Sequence, residues 1–261
     1  MSPRLPFLSL LAAALALAGC AGMVRERIYR PEPIAADRPA WQGAAPRPVS
    51  ARTADGLVLH GYYWPPAAGS RDILIFFHGN AGNRETAARM AEPLARHGAG
   101  LLVASYRGYG GNPGRPSEAG LIADGAAFAA LARQLQGEGR LYLVGWSLGG
   151  AVALQLAGRI PVDAVATLGA FSRLADAAPA AARPFLPDRF DNLAAIGRVA
   201  APVYLFHGTS DEVVPYAQAA RLRAASGGRA TIVTIAGGGH RPDLARLADT
   251  IWQALEGRGG R

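Results

Sequence analysis

One short stretch constrains the fold more than any other. Leu141-Tyr142-Leu143-Val144 is an apolar, partly β-branched run, Gly145-Trp146-Ser147-Leu148-Gly149 follows at once, and residues 150–157 read as a helix. That is a strand, a tight turn and a helix in immediate succession. A serine hydroxyl is a poor nucleophile unless a base takes its proton, and glycines on both sides of it let neighbouring backbone approach without meeting a Cβ. Random placement of the 33 glycines and 10 serines in 261 residues yields about 0.15 such pentapeptides per chain. The weight therefore rests on the strand before it and the helix after it.

Half of the residues are apolar and 18% are charged, which provides material for a packed core and argues against disorder. The length suits one α/β domain with appendages. The net charge of +8 comes from arginine alone, because the sequence has no lysine, and the arginines are dispersed singly. A nucleic-acid surface needs clustered basic residues on a recognisable module, so no nucleic-acid partner is expected.

The N-terminus has its own logic. Arg4, the apolar run from Leu5 to Leu17, and Leu17-Ala18-Gly19-Cys20 have the layout of a secretory signal. The run is too short for a comfortable membrane span. Leu-Ala-Gly-Cys further resembles the bacterial lipobox. That resemblance implies a signal peptide over 1–19, lipidation of Cys20 as the first mature residue, and a place in the bacterial cell envelope on a membrane lipid anchor. Cys20 is the only cysteine, so no intramolecular disulfide can form. Residues 20–47 carry Pro31, Pro33, Pro39 and Pro46 with few large apolar side chains, the composition of a flexible tether. The folded domain is expected over 48–258.

Within that domain, Pro48 to Thr53 and Leu57 to Trp64 flank Asp55-Gly56, a strong short signal for an antiparallel hairpin. Apolar runs at Ile73–Phe77, Leu101–Ser105, Leu141–Val144, Val162–Leu168, Val203–Phe206 and Thr231–Ile235 read as strands, several of them buried on both faces. Helical patterns fill the intervals: about Asn83–His97, from Ser117-Glu118 onward, after Gly149, Tyr216–Ala225 and Pro242–Leu255. Strands alternating with helices predict an α/β fold with a doubly wound, mostly parallel sheet. From Ala170 to Val199 the pattern lapses into Ala- and Pro-rich sequence, as expected for a short cap.

Such sheets bind ligands beyond the carboxyl ends of their strands. Three strand ends carry polar residues suited to chemistry: His78-Gly79-Asn80-Ala81-Gly82-Asn83, His207-Gly208-Thr209-Ser210-Asp211, and Gly237-Gly238-Gly239-His240. With the serine turn they supply Ser147, Asp211 and His240 in that chain order. This is the order of the α/β-hydrolase superfamily, whose nucleophile elbow the 145–149 turn resembles. The His78–Asn83 segment, Tyr106-Arg107-Gly108-Tyr109-Gly110, Pro116-Ser117-Glu118-Ala119-Gly120-Leu121 and Asp188-Arg189-Phe190-Asp191 resemble the BEM46-like and ABHD13-like hydrolases. The likeness extends over roughly Pro48 to Leu255. It departs at Gly111-Asn112, where relatives often have Lys-Ser, and at the glycine run before His240.

The resemblance implies the α/β-hydrolase fold and serine-hydrolase chemistry on a small-molecule acyl substrate. Ser147 would attack the acyl carbon, His240 would relay its proton, and Asp211 would orient the imidazole. Backbone N–H groups of Asn80 and Leu148 would bind the oxyanion. Glu212 and Asp191 stand as alternatives to Asp211, and His60, His78, His97 and His207 as alternatives to His240. His78 and His207 are expected to orient loops through backbone hydrogen bonds, and Arg107 and Asp124 to be structural. No metal or cofactor is expected, since no His-Glu-x-x-His or paired-cysteine pattern occurs. The leading expectation is a carboxylesterase. A peptidase or acyltransferase using the same residues, or a silent envelope binding protein, are the alternatives.

Overall fold

The computed structural model describes residues 22–36, 40–178 and 180–257. The signal segment, Cys20, Pro39, Pro179 and position 258 lie outside the described residues. Residues 22–28 are helical (α1) and lead into a two-residue strand, β1 (Arg30–Pro31). The Asp-Gly turn joins β2 (Arg47–Arg52) to β3 (Val58–Trp64). There follow β4 (Ile73–Phe77), the short β5 (Ala81–Gly82) and α2 (Arg84–Ala91). Pro93 then tightens the chain into a 3-10 turn, Glu92–His97, where the sequence pattern suggests a continued helix.

Next come β6 (Gly100–Ala104), α3 (Glu118–Gln136), β7 (Leu141–Trp146), α4 (Leu148–Ala157) and β8 (Ala164–Leu168). The cap is α5 (Leu174–Ala177), a 3-10 turn at Ala180–Phe185, and α6 (Asn192–Arg198). The chain ends with β9 (Val203–Gly208), α7 (Ala217–Ala225), β10 (Thr231–Ile235) and α8 (Leu244–Leu255). Among the described residues no helix is long and apolar enough to cross a membrane.

The strands form one eight-stranded sheet in the order β2-β3-β6-β4-β7-β8-β9-β10. β4 and β6 through β10 run parallel; β3 is antiparallel to both its neighbours. Because strand side chains alternate, the apolar run of β4 serves two layers at once. Ile73, Ile75 and Phe77 meet Leu121, Phe128 and Val152 on one face. Leu74 and Phe76 meet Ala88, Ile251 and Trp252 on the other. Burying each such large side chain contributes about 1.5–3 kcal/mol. The chain leaves β4 toward β6 on one side and leaves β7 toward β8 on the other. Their carboxyl ends therefore border the crevice where ligands bind in sheets of this kind.

The N-terminal segment differs from the expected tether. Tyr29 is 2% exposed, and β1 pairs in parallel with β5 outside the main sheet. Arg30 N–H donates to Asn80 O at 2.7 Å and Glu32 N–H to Gly82 O at 2.9 Å. The intervening Pro31 sits at the position whose missing donor the pairing does not require. Further along, Trp41 packs edge-on against Tyr62 and Trp64, and Gly43 N–H bonds Glu92. Proline-rich composition here marks a docked edge strand and a packed strap.

Candidate active site

Ser147 stands between the last residue of β7 and the first of α4 at φ 53°, ψ −114°, a backbone conformation that costs a β-carbon residue about 1–3 kcal/mol. Two close approaches enforce it. A Cβ on Gly145 would lie 2.2 Å from Gly149 O, and one on Gly149 would lie 2.0 Å from Phe77 O. The Ser147 N–H is committed to Leu168 O at 2.8 Å. Leu148 is the first residue of α4, so its N–H has no acceptor within the helix.

The structure brings Ser147, His240 and Asp211 into one chain of hydrogen bonds. Ser147 Oγ is 3.0 Å from His240 Nε2, and His240 Nδ1 is 2.9 Å from Asp211 Oδ2. With Nδ1–H donating to the carboxylate, Nε2 is free to accept from the hydroxyl. The Asp211 side chain is fully buried, and its Oδ1 accepts the N–H groups of Val213 and Val214 at 3.0 and 2.8 Å. Glu212, one of the alternatives, is exposed. Asp191, the other, caps α6 through Ala194 N–H and pairs with Arg173.

The remaining histidines separate as expected. His60 bonds Ser50, and His97 pairs with Asp249 against Trp252. His207 Nε2–H donates to Val214 O at 2.8 Å and lies 3.6 Å from Asp211 Oδ2, so it backs the carboxylate. His78 Nδ1–H donates to Gly79 O at 2.8 Å. It is 2% exposed, its Nε2 has no partner, and burial lowers its pKa to about 4. Arg107 forms a buried pair with Asp124 at 2.7 Å and clamps Asp55 of the hairpin turn. These contacts hold the opening hairpin to α3.

Asn80 directs its side-chain Nδ2–H to Ile28 O at 3.0 Å, and its carbonyl takes the Tyr109 hydroxyl at 2.7 Å. Among the described residues, its backbone N–H makes no bond to the N-terminal segment. The trans peptide places C=O and N–H on opposite sides, so the His78 hold on Gly79 O also fixes where the Asn80 N–H points.

Two participants escape sequence reasoning. Trp146 Nε1–H donates to His240 O at 2.9 Å, while its ring would be 3.2 Å from a Cβ on Gly79. It therefore joins the serine elbow to both the histidine loop and the Asn80 turn. Gly169, at φ +60°, passes behind the His–Asp pair, where a Cβ would lie 3.1 Å from Asp211 Oδ2 and 3.3 Å from His240 Nδ1. A glycine directly after an apolar strand was its one sequence signal. Cavities of about 520 Å³, beside Arg25, Ser117 and Asp188, and about 250 Å³, beside Ile196 and Val203, lie away from these residues.

A serine on the strained turn of a mostly parallel sheet, with acid and histidine delivered by later strand ends, defines an α/β hydrolase by architecture. The chain belongs to the α/β-hydrolase superfamily. Residues 72–195 match the family model described as alpha/beta hydrolase fold. Over 212 residues it is 41% identical to an uncharacterized protein of Mycobacterium tuberculosis, spanning 77% of this chain and 74% of that one. It is 26% identical over 228 residues to the uncharacterized protein YfhR of Escherichia coli K12, spanning 82% and 77%. A solved esterase of Pyrococcus furiosus superposes with a TM-score of 0.70 at 16% identity, over 89% of this chain and 99% of that one. That likeness is one of fold.

Proposed function

We propose that the protein is a serine hydrolase of the carboxylesterase type, in the BEM46-like and ABHD13-like group, which cleaves an acyl ester through a covalent acyl-enzyme. The observation that carries this reading is the hydrogen-bonded line from Ser147 Oγ through His240 to the buried Asp211 carboxylate. Ser147 Oγ attacks the acyl carbon as His240 Nε2 takes its proton; His240 then gives that proton to the departing alkoxide. Water repeats the sequence on the acyl-enzyme, releasing the acid. Asp211 holds the imidazole in the productive tautomer and stabilises its cation. The N–H groups of Asn80 and Leu148 receive the oxyanion.

Ester is favoured over peptide by the cap. A peptidase that grips a free substrate amine does so with carboxylates, but each acidic candidate in this cap is engaged. Asp176 bonds Ser172 and Arg221, Asp188 bonds Arg25 and Tyr29, and Asp191 caps α6. The short helical pieces of the cap also cover little surface, which favours small acyl groups. The deciding experiment is labelling with a fluorophosphonate, with the mass of the adduct mapped to Ser147, followed by p-nitrophenyl esters of rising acyl length. An unlabelled Ser147 rejects the mechanism; rates that climb steadily to long chains reject the small acyl site.

We further propose that Cys20 is lipidated and holds the protein to a membrane of the bacterial envelope, on the strength of Leu17-Ala18-Gly19-Cys20. The mature N-terminal peptide should carry lipid mass, and Cys20→Ser should block processing. Soluble mature protein with an unmodified N-terminus would reject this.

A further inference from the structure

The turn carrying Asn80 is gripped from outside the catalytic strands. Four hydrogen bonds cross from the N-terminal segment. Arg30 N–H reaches Asn80 O at 2.7 Å, and Asn80 Nδ2–H reaches Ile28 O at 3.0 Å. Glu32 N–H bonds Gly82 O and Asn83 Nδ2–H bonds Pro33 O, both at 2.9 Å. The segment is itself pinned upstream. Tyr29 is buried in the core, and its hydroxyl donates to Asp188 Oδ2 at 2.9 Å. Arg25 spans both oxygens of the same carboxylate at 2.9 and 3.0 Å, and Asp188 also accepts Glu118 N–H at the start of α3.

The ladders of the eight-stranded sheet do not include these contacts, since β1 pairs only with β5. Their effect falls on the Asn80 turn. There the carbonyls on both sides of the proposed oxyanion donor are held: Gly79 O by His78, and Asn80 O by Arg30 and Tyr109. A donor contributes most when its direction is set before charge develops.

We propose that residues 25–33 form a positioning strap that preorganises the Asn80 N–H for the oxyanion, with Arg25 and Tyr29 as its anchors on Asp188. The proposal rests on the serine-hydrolase reading of the site. Arg25 and Tyr29 are positioning residues; they act through the turn. Loosening the strap weakens transition-state binding more than substrate binding, so kcat falls while KM holds.

The test uses the full chain and a pair of substrates, p-nitrophenyl acetate and its thiono analogue, in which sulfur replaces the carbonyl oxygen. Sulfur accepts hydrogen bonds weakly, so the ratio of oxo to thiono rates reads the oxyanion donors specifically. Tyr29→Ala should lower kcat for the oxo ester on the order of tenfold, part of the 10²–10³ carried by one donor. KM should stay within about twofold, and the oxo/thiono ratio should narrow in proportion to kcat. Tyr29→Phe keeps the ring and should lose only a few-fold. Should Tyr29→Ala fail to fold, Arg25→Ala should narrow the ratio to a smaller extent, with partial recovery in Arg25→Lys. Folded variants with wild-type kcat, or with oxo and thiono rates falling equally, overturn the strap. A wild-type chain that hydrolyses no ester and leaves Ser147 unlabelled overturns the reading of the site itself, before any variant is compared.

Discussion

Acidification acts on the Asn80 turn through His78. The ring is wedged against Tyr106 and Tyr109, with centroids 4.4 and 5.1 Å away, and Nδ1–H is spent on Gly79 O. Protonation would add a second N–H and a charge at a buried Nε2 that has no acceptor. Burial accordingly lowers its pKa from 6.5 to about 4. Between those values the unfolded chain holds a proton that the native state refuses, so stability rises with pH across the window. It is at its full value above about pH 6.5, declines as pH falls, and loses nothing further from this group below about pH 4. The shift corresponds to about 3 kcal/mol, a substantial share of the 5–15 kcal/mol typical of a domain.

The assay is urea denaturation of wild type and His78→Asn at intervals from pH 7 to pH 4. Asparagine offers an N–H in nearly the place of Nδ1 and does not titrate, but it forfeits the packing of the ring. The variant should therefore be the less stable at pH 7, and the gap should shrink steadily by about 3 kcal/mol toward pH 4. Carboxylates titrating in the same range affect both proteins alike and cancel in the difference. A stability difference that stays flat from pH 7 to pH 4 would refute the argument.

Ser147→Ala and His240→Ala should each abolish ester turnover while leaving denaturation midpoints close to wild type, and Asp211→Asn should cost on the order of 10⁴ in kcat through the wrong histidine tautomer. Asn80→Ala, which removes only the side-chain bond to Ile28, should keep most turnover; Asn80→Pro, which removes the N–H, should lose on the order of 10²–10³ in a protein of unchanged thermal stability. Equal damage from the two would move the donor to the side chain. Arg107→Ala strands Asp124, whose side chain is fully buried, and should destabilise the domain by about 3–5 kcal/mol by urea titration, while Arg107→Ala enzyme that remains folded should keep its KM.

Much of the scaffold was legible because it depends on local pattern. Ile73–Phe77 and Thr231–Ile235 appear as strands at the positions their apolar runs indicate. Asp55-Gly56 turns the hairpin with Gly56 at φ +89°, and Ser117 caps α3 through Gly120 N–H. Chain order likewise pointed to Ser147, Asp211 and His240 as a group. The strap was illegible for a physical reason. Its ladder is two residues long and tolerates Pro31, so it has neither alternation nor β-branched residues to betray it, and its anchors lie about 160 positions away on Asp188. Gly169 was missed similarly, since its constraint is set by two side chains from later strands.

The serine, histidine and aspartate are aligned by ties between loops as well as by their own hydrogen bonds. The elbow is tied to β8 by Ser147 N–H on Leu168 O, and the β9 and β10 ends are tied by Thr209 N–H on Ile235 O and Ser210 N–H on Gly238 O. Trp146 closes the circuit from the elbow to His240 O. Most of these ties are backbone to backbone, which side-chain variation cannot remove. Among those that substitution can reach are the Trp146 indole, which touches both the histidine loop and the Asn80 turn, and the Tyr29–Asp188 anchor, which acts on the Asn80 turn alone. Under the proposed mechanism, Tyr29 variants should therefore change the oxyanion signature alone, whereas Trp146 variants should disturb both the His240 and the Asn80 sides of the site.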